Sequence, residues 1–150
     1  KKKTEKRLEQ KKDVTIAKPQ RELPEQKLDS DGKKTVLIVE DNSDNMISVK
    51  AILGDRFHIL EAVDGEEGLQ TATTDIPDLI LLDIALPKMD GFTVARKLRE
   101  NSATEKIPIL AVTASAMRGA REKIIEADFD EYVAKPIDAD ELIDKMNKWL

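Results

Sequence analysis

The sequence predicts an α/β domain: a doubly wound parallel sheet of five strands with helices on both faces. Three observations lead there. From Lys34 onward, five short apolar runs alternate with segments whose apolar residues recur at helical spacing. The run at residues 79–82 is apolar throughout, as a strand covered on both faces should be. Four of the five runs end in an acid, a hydroxyl or an ammonium group, whereas the second, Phe57 to Val63, carries none. Strand–helix alternation forces parallel strands, and right-handed crossovers leave few topologies.

The elements follow in order. Val36-Leu37-Ile38-Val39 is the first strand and runs into Glu40-Asp41. A helix over Asp44 to Leu53 carries Met46, Val49, Ile52 and Leu53 on one face, and Gly54 stops it. Phe57 to Ala62 forms the second strand. Asp64 is the expected N-cap of the second helix, with Glu67 three residues on as its capping-box partner. The third strand, Leu79 to Leu82, runs into Asp83. Pro87 to Gly91 then turns the chain into a helix that points Val94, Ala95 and Leu98 inward. The fourth strand, Ile107 to Val112, ends at Thr113, and a fourth helix spans about Ala116 to Ala127. Tyr132-Val133-Ala134 leads into Lys135-Pro136. The fifth helix, Asp138 to Leu150, has Leu142, Ile143, Met146 and Trp149 as its apolar positions, with Trp149 expected as a docking anchor.

Composition narrows the chemistry. A chain of 150 residues can bury one proper core, and with one Trp, one Tyr and three Phe that core must be aliphatic. The absence of Cys excludes disulfides, thiolate metal sites and a Cys nucleophile, and fits a reducing compartment. A single His58 excludes a multi-histidine metal centre. No apolar stretch approaches the ~20 residues that cross a bilayer, and no signal peptide is present. The start at Lys1 suggests a piece of a longer protein. Residues 1–32 carry ten Lys/Arg against seven Asp/Glu, a balance of +3, which leaves −8 for the rest of a chain totalling −5. That acidic remainder argues against direct nucleic-acid binding, which draws on cationic contacts to phosphate. Residues 1–32 read as a charged flexible linker, interrupted by Pro19 and Pro24 and lacking apolar periodicity; the folded domain is 33–150.

Ligands of an open parallel sheet bind beyond the carboxyl ends of its strands. Here that rim receives Glu40, Asp41, Asp83, Thr113 and Lys135. Adjacent carboxylates repel unless a cation lies between them, and Mg²⁺, a hard ion with oxygen ligands, is the natural occupant. The plainer alternative has Asp41 or Ser43 capping the helix that follows. Asp83, behind four buried apolar residues, is the foremost candidate, though an ordinary loop or capping aspartate has the same pattern. Lys135 supplies a point charge for a phosphate oxygen, and a cis bond to Pro136 would aim it inward. Thr113 can donate its hydroxyl to a bound anion. A calcium loop at Asp41 to Asn45 is rejected because Met46 and Ile52 occupy the glycine and acid positions. No nucleotide P-loop is present.

Together, Val39-Glu40-Asp41-Asn42, Asp83 with Leu86-Pro87-Lys88-Met89-Asp90-Gly91, Val112-Thr113-Ala114 and Tyr132-Val133-Ala134-Lys135-Pro136-Ile137 resemble the receiver domain of two-component response regulators. The likeness runs along residues 34–150. It implies a flavodoxin-like sheet in the order 2-1-3-4-5, with Asp83 as phosphoacceptor. It also implies Mg²⁺ held by Asp41, Asp83 and the backbone carbonyl of Ala85, with Glu40 acting mostly through water. Lys135 would pair with the phosphoryl group, and Thr113 and Tyr132 would be the switch residues. Such a domain catalyses its own phosphorylation and dephosphorylation without being a turnover enzyme. Its partners would be a histidine kinase or a histidine phosphotransfer domain, with a dimer possible through the fourth and fifth helices. The setting would be cytoplasmic.

The Glu-Asp-Asn opening and the charged tether resemble receivers of hybrid sensor histidine kinases; a stand-alone single-domain regulator is the alternative. A haloacid-dehalogenase-type phosphohydrolase needs a second acid where Ala85 stands, and the intact acid and lysine set disfavours a phosphorylation-independent interaction module. Two positions depart from the family pattern. Ala85 is smaller than usual, and with the short Ser115 it implies a long-lived phosphorylated form. Asp128 replaces a usual glycine after the fourth helix, where it is expected to accept a left-handed backbone. The linker reading has a direct consequence: removing residues 1–32 should leave the thermal unfolding midpoint almost unchanged, measured by circular dichroism, and a large drop would show that the segment packs on the core.

Overall fold

The computed structural model describes residues 32–114 and 120–150; residues 1–31 of the tether expected over 1–32, Ser115 and the first turn expected of the fourth helix lie outside them. Strands β1 (Lys34–Val39), β2 (Phe57–Ala62), β3 (Leu79–Asp83), β4 (Ile109–Thr113) and β5 (Glu131–Ala134) alternate with helices α1 (Ser43–Leu53), α2 (Gly65–Asp75), α3 (Gly91–Glu100), α4 (Ala120–Glu126) and α5 (Ala139–Trp149). All four strand pairings are parallel and the spatial order is β2-β1-β3-β4-β5. This is the order 2-1-3-4-5 that the resemblance implies.

Side chains alternate between two cores because the strand period is two. Leu37, Val39, Ile80, Leu82, Ile109 and Ala111 face one core, which α2, α3 and α4 close with Ala72, Val94, Ala95, Leu98 and Ile124. Val36, Ile38, Leu79, Leu81, Leu110 and Val112 face the other, closed by Met46, Val49 and Leu53 of α1 and by Leu142 and Met146 of α5. The register keeps each set in line: Leu37 pairs with Ile80, and Ile80 with Ile109. Every residue of β3 and β4 is buried, which is why those runs read as uninterrupted apolar sequence.

The helix ends follow local rules with some corrections. Gly54, at φ 57°, ends α1 and donates its N–H to Lys50. Asp64 caps α2 through the Glu67 amide at 2.8 Å, but Glu67 reaches back to the N–H of Val63, one residue before the cap. Strand β4 begins at Ile109, two residues later than expected, because the Ile107 N–H turns back to the Thr104 carbonyl and Pro108 has none to give. Trp149 is only partly covered, 37% exposed, and the fully buried residues by which α5 docks are Leu142 and Met146. Nor does Asp128 adopt a left-handed backbone; among described non-glycine residues that conformation falls at Ile76 and Lys88. The Ala127 N–H is shared between the Lys123 and Ile124 carbonyls, a tightened last turn that leaves α4 without such a residue.

The base of the sheet is pinned by side chains that the pattern of apolar runs does not announce. Asp78 accepts the Thr35 N–H at 2.8 Å just before β3 begins, and Asp130 does the same for Ile109 just before β5. Arg99, at the end of α3, gathers the surrounding chain. Its Nε donates to the Asp128 carbonyl, Nη1 to the carbonyls of Glu105 and Ile107, and Nη2 to Asp130 at 2.6 Å. A planar guanidinium can address all four acceptors at once, which an ammonium cannot. Arg99→Ala should therefore lower stability by about 2 kcal/mol, with Arg99→Lys recovering only part of it, as read from urea unfolding midpoints.

Candidate functional site

Three strand ends and one loop build the site. Glu40 directly follows β1, and its N–H continues the ladder to the Ala62 carbonyl at 3.0 Å. Asp83 is the last residue of β3, and the next residue, Ile84, donates to the Val112 carbonyl. Lys135 follows β5, fixed by its own N–H on the Thr113 carbonyl at 2.7 Å. Main-chain ladder bonds thus hold the three side chains before any of them touches another.

Their tips converge. Lys135 Nζ lies 3.2 Å from a Glu40 oxygen and 3.2 Å from Asp83 Oδ2. Both acids are buried, each 4% exposed. Asp83 Oδ1 accepts the Ala85 N–H at 2.9 Å, so the residue two places on orients the carboxylate through its backbone. Glu40 Oε2 accepts the Asn42 N–H at 3.2 Å and lies 3.5 Å from Asn45 Nδ2. Exposed Asp41 completes a trio in which one carboxylate oxygen from each residue lies within 4.8 Å of the others. The Lys135–Pro136 bond is cis.

The N-cap of α1 is Asn42, whose side chain accepts the Asn45 N–H at 2.9 Å; Asp41 and Ser43, the two expected capping candidates, do not serve. Asn42 is extended, so its short side chain reaches the third amide of the helix while Asp41 stays at the rim. Sequence reasoning missed Asn42 and Asn45 as the groups that hold Glu40. It also missed why Gly91 matters. A Cβ there would lie 2.5 Å from the Ile84 Cα and 2.7 Å from the Asp83 carbonyl oxygen, both backbone atoms, so α3 starts against the strand end that carries Asp83. Lys88, at φ 66°, occupies the middle of a tight turn closed by the Met89 N–H on the Pro87 carbonyl, a strained arrangement in the loop beyond Asp83.

Burial raises the carboxyl pKa of Glu40, and the charge of Asp83 adds to this against the Asn42 amide and Lys135, which lower it. Burial alone would lower the Lys135 ammonium, but Asp83 and Glu40 outweigh it and the net shift is upward. One ammonium faces three carboxylates, an excess of negative charge set in hard oxygen ligands. Those donors fit a divalent cation of the magnesium type. Thr113 is buried at the adjoining end of β4, level with Ala134. Tyr132 sits half-buried beside Ala111, two positions below that rim, and packs on the core shared with α3 and α4. The structure therefore brings Glu40, Asp41, Asp83 and Lys135 together, puts Thr113 on the neighbouring strand end, and keeps Tyr132 away from the acids.

Known proteins resemble this chain. The response regulator receiver domain matches residues 36–147, from β1 into α5. The response regulator PleD of Caulobacter vibrioides is 39% identical over 104 residues, which are 69% of this chain and 23% of that protein; the chain thus spans under a quarter of PleD. The polar-differentiation response regulator DivK of Brucella anthropi is 36% identical over 118 residues, 78% of this chain and 96% of DivK. Among solved structures, the receiver domain of the sensor histidine kinase PA1611 from Pseudomonas aeruginosa PAO1, with a magnesium ion coordinated in its active-site cleft, superposes with a TM-score of 0.73. It is 32% identical, and the likeness covers 78% of this chain and 97% of that one. With five parallel strands in the same order, an acid trio and a lysine at their carboxyl ends, and this extent of likeness, the chain belongs to the response regulator receiver domain family.

Proposed function

We propose that Asp83 is the phosphoacceptor of this receiver domain, taking a phosphoryl group from the phosphohistidine of a histidine kinase or a histidine phosphotransfer domain. The observation that carries the reading is the buried Asp83 carboxylate, held by the Ala85 amide on one oxygen and by Lys135 on the other. A carboxylate oxygen of Asp83 attacks phosphorus, a P–O bond forms, and the P–N bond to the imidazole breaks. The chain's own contribution is positioning and charge. Ladder bonds aim the carboxylate, and Lys135 offsets charge on the phosphoryl oxygens.

Asp41, Asp83 and the Ala85 carbonyl would hold Mg²⁺, with Glu40 behind them. The bound ion supplies further charge neutralisation at the phosphoryl oxygens. Thr113 and Tyr132 are the switch residues, and Pro136 shapes the turn at Lys135. The surface made by α4, β5 and α5 reads out the state and is the face for a dimer. The acidic domain does not itself bind nucleic acid, and no helix among the described residues is long and apolar enough to cross a membrane. A cytoplasmic setting, with residues 1–32 as tether and 33–150 as the receiver, fits these features. Likeness to the PA1611 receiver supports a place within a hybrid sensor kinase, while likeness to DivK over nearly its whole length supports a stand-alone regulator.

Acetyl phosphate with Mg²⁺ should add one phosphate, seen by intact-mass spectrometry. The adduct should vanish in Asp83→Asn and with EDTA; persistence in Asp83→Asn would remove Asp83 as acceptor. The phosphorylated form should also be long-lived, because Ala85 and Ser115 offer no acid or amide long enough to orient an attacking water. Ala85→Asn combined with Ser115→Glu should shorten the lifetime about tenfold or more, part of the ~10²–10⁴-fold help that a positioned polar group can give. Decay no faster in that folded, phosphorylatable variant would show that these two positions do not set the lifetime.

A further inference from the structure

Tyr132 lies on the edge strand of the sheet, and the side chain that grips it comes from the opposite layer. Strand β5 pairs only with β4, so its outer edge presents main-chain groups that another element must satisfy. Lys145 of α5 does this for Tyr132: its Nζ donates to the Tyr132 carbonyl at 2.7 Å. The same ammonium stands 4.7 Å from the centroid of the Tyr132 ring, within cation–π range. Glu141, one turn earlier on α5, pairs with it at 2.9 Å and fixes its approach. Helix α5 packs on one core and the Tyr132 ring on the other, so Lys145 reaches round the edge of the sheet to hold the ring.

We infer that Lys145 is a positioning residue that sets the resting orientation of the Tyr132 ring, a restraint the switch must overcome. A lysine that merely protected the edge would need the carbonyl contact alone. Here the carbonyl, the ring and the Glu141 carboxylate all engage one partly buried ammonium, and backbone and ring are held as a unit. The consequence for switching rests on Tyr132 being the switch ring. When the ring leaves this orientation it loses the cation–π contact, so the resting state is favoured by the strength of that contact.

The test uses the full chain labelled with 3-fluorotyrosine, whose one tyrosine gives one fluorine signal. Lys145→Met keeps the aliphatic stem and removes the charge; Lys145→Arg keeps the charge. Circular dichroism verifies that both fold, with Lys145→Gln as a second neutral variant should the first not do so. In unphosphorylated protein, the difference in fluorine shift between light and heavy water reports exposure of the ring. It should change in Lys145→Met and stay near the wild-type value in Lys145→Arg. With Mg²⁺ and beryllofluoride as phosphoryl mimic, the midpoint should fall about two- to fivefold in Lys145→Met, the range an exposed cation–π contact allows. An unaltered isotope shift, an unaltered midpoint, or equal changes in the Met and Arg variants overturns the inference. A wild-type chain that gives no response to the mimic would count against Asp83 as acceptor, and the isotope shift would still decide the role of Lys145.

Discussion

One ammonium group makes the acid cluster possible. Glu40 and Asp83 are both buried, and two carboxylates so placed repel each other and lack water to dissipate their charge. Lys135 sits 3.2 Å from each and relieves both penalties at once. It does so incompletely. With Asp41 added at the rim, three formal negative charges face one positive, and the remainder suits the site to a divalent cation. Because the acids and the lysine stand at the carboxyl ends of β1, β3 and β5, the cluster depends on these strands keeping their lateral order and register.

The two ends of the sheet divide the labour. At the base, charged side chains are spent on structure: Asp78 and Asp130 complete the ladders where β1 and β4 begin, and Arg99 ties the end of α3 to the loops before β4 and β5. At the rim, backbone bonds supply the order and the charged side chains are left to each other. The Asp83 carboxylate needs only the Ala85 amide and Lys135, and α3 starts directly against its backbone because Gly91 has no Cβ. The loop from Asp83 to Gly91 carries one strained residue, Lys88 at φ 66°.

The edge strand joins these themes. β5 delivers Lys135 to the acids at one end and meets the Arg99–Asp130 pair at the other, while α5 grips its middle through Lys145. A short strand with a single neighbour would otherwise be the weakest part of the sheet.

The sequence by itself determined the strands and helices, their parallel arrangement, the stop at Gly54, the cap at Asp64, and which groups reach the rim. Each of these follows from period, from local capping chemistry or from the order of elements along the chain, all of which are written within a few neighbouring residues. Only the tertiary structure decided the rest. Asn42 and not Asp41 caps α1, Asp128 avoids a left-handed backbone, Trp149 stays at the surface, and Arg99 and Lys145 become hubs. Arg99 meets its partner Asp130 across 31 residues and Lys135 meets Asp83 across 52. Lys135 was legible because a strand delivers it to a shared edge. Arg99 was not, because a lone arginine at the end of a helix reads as an ordinary solvated charge until folding brings four acceptors around its guanidinium.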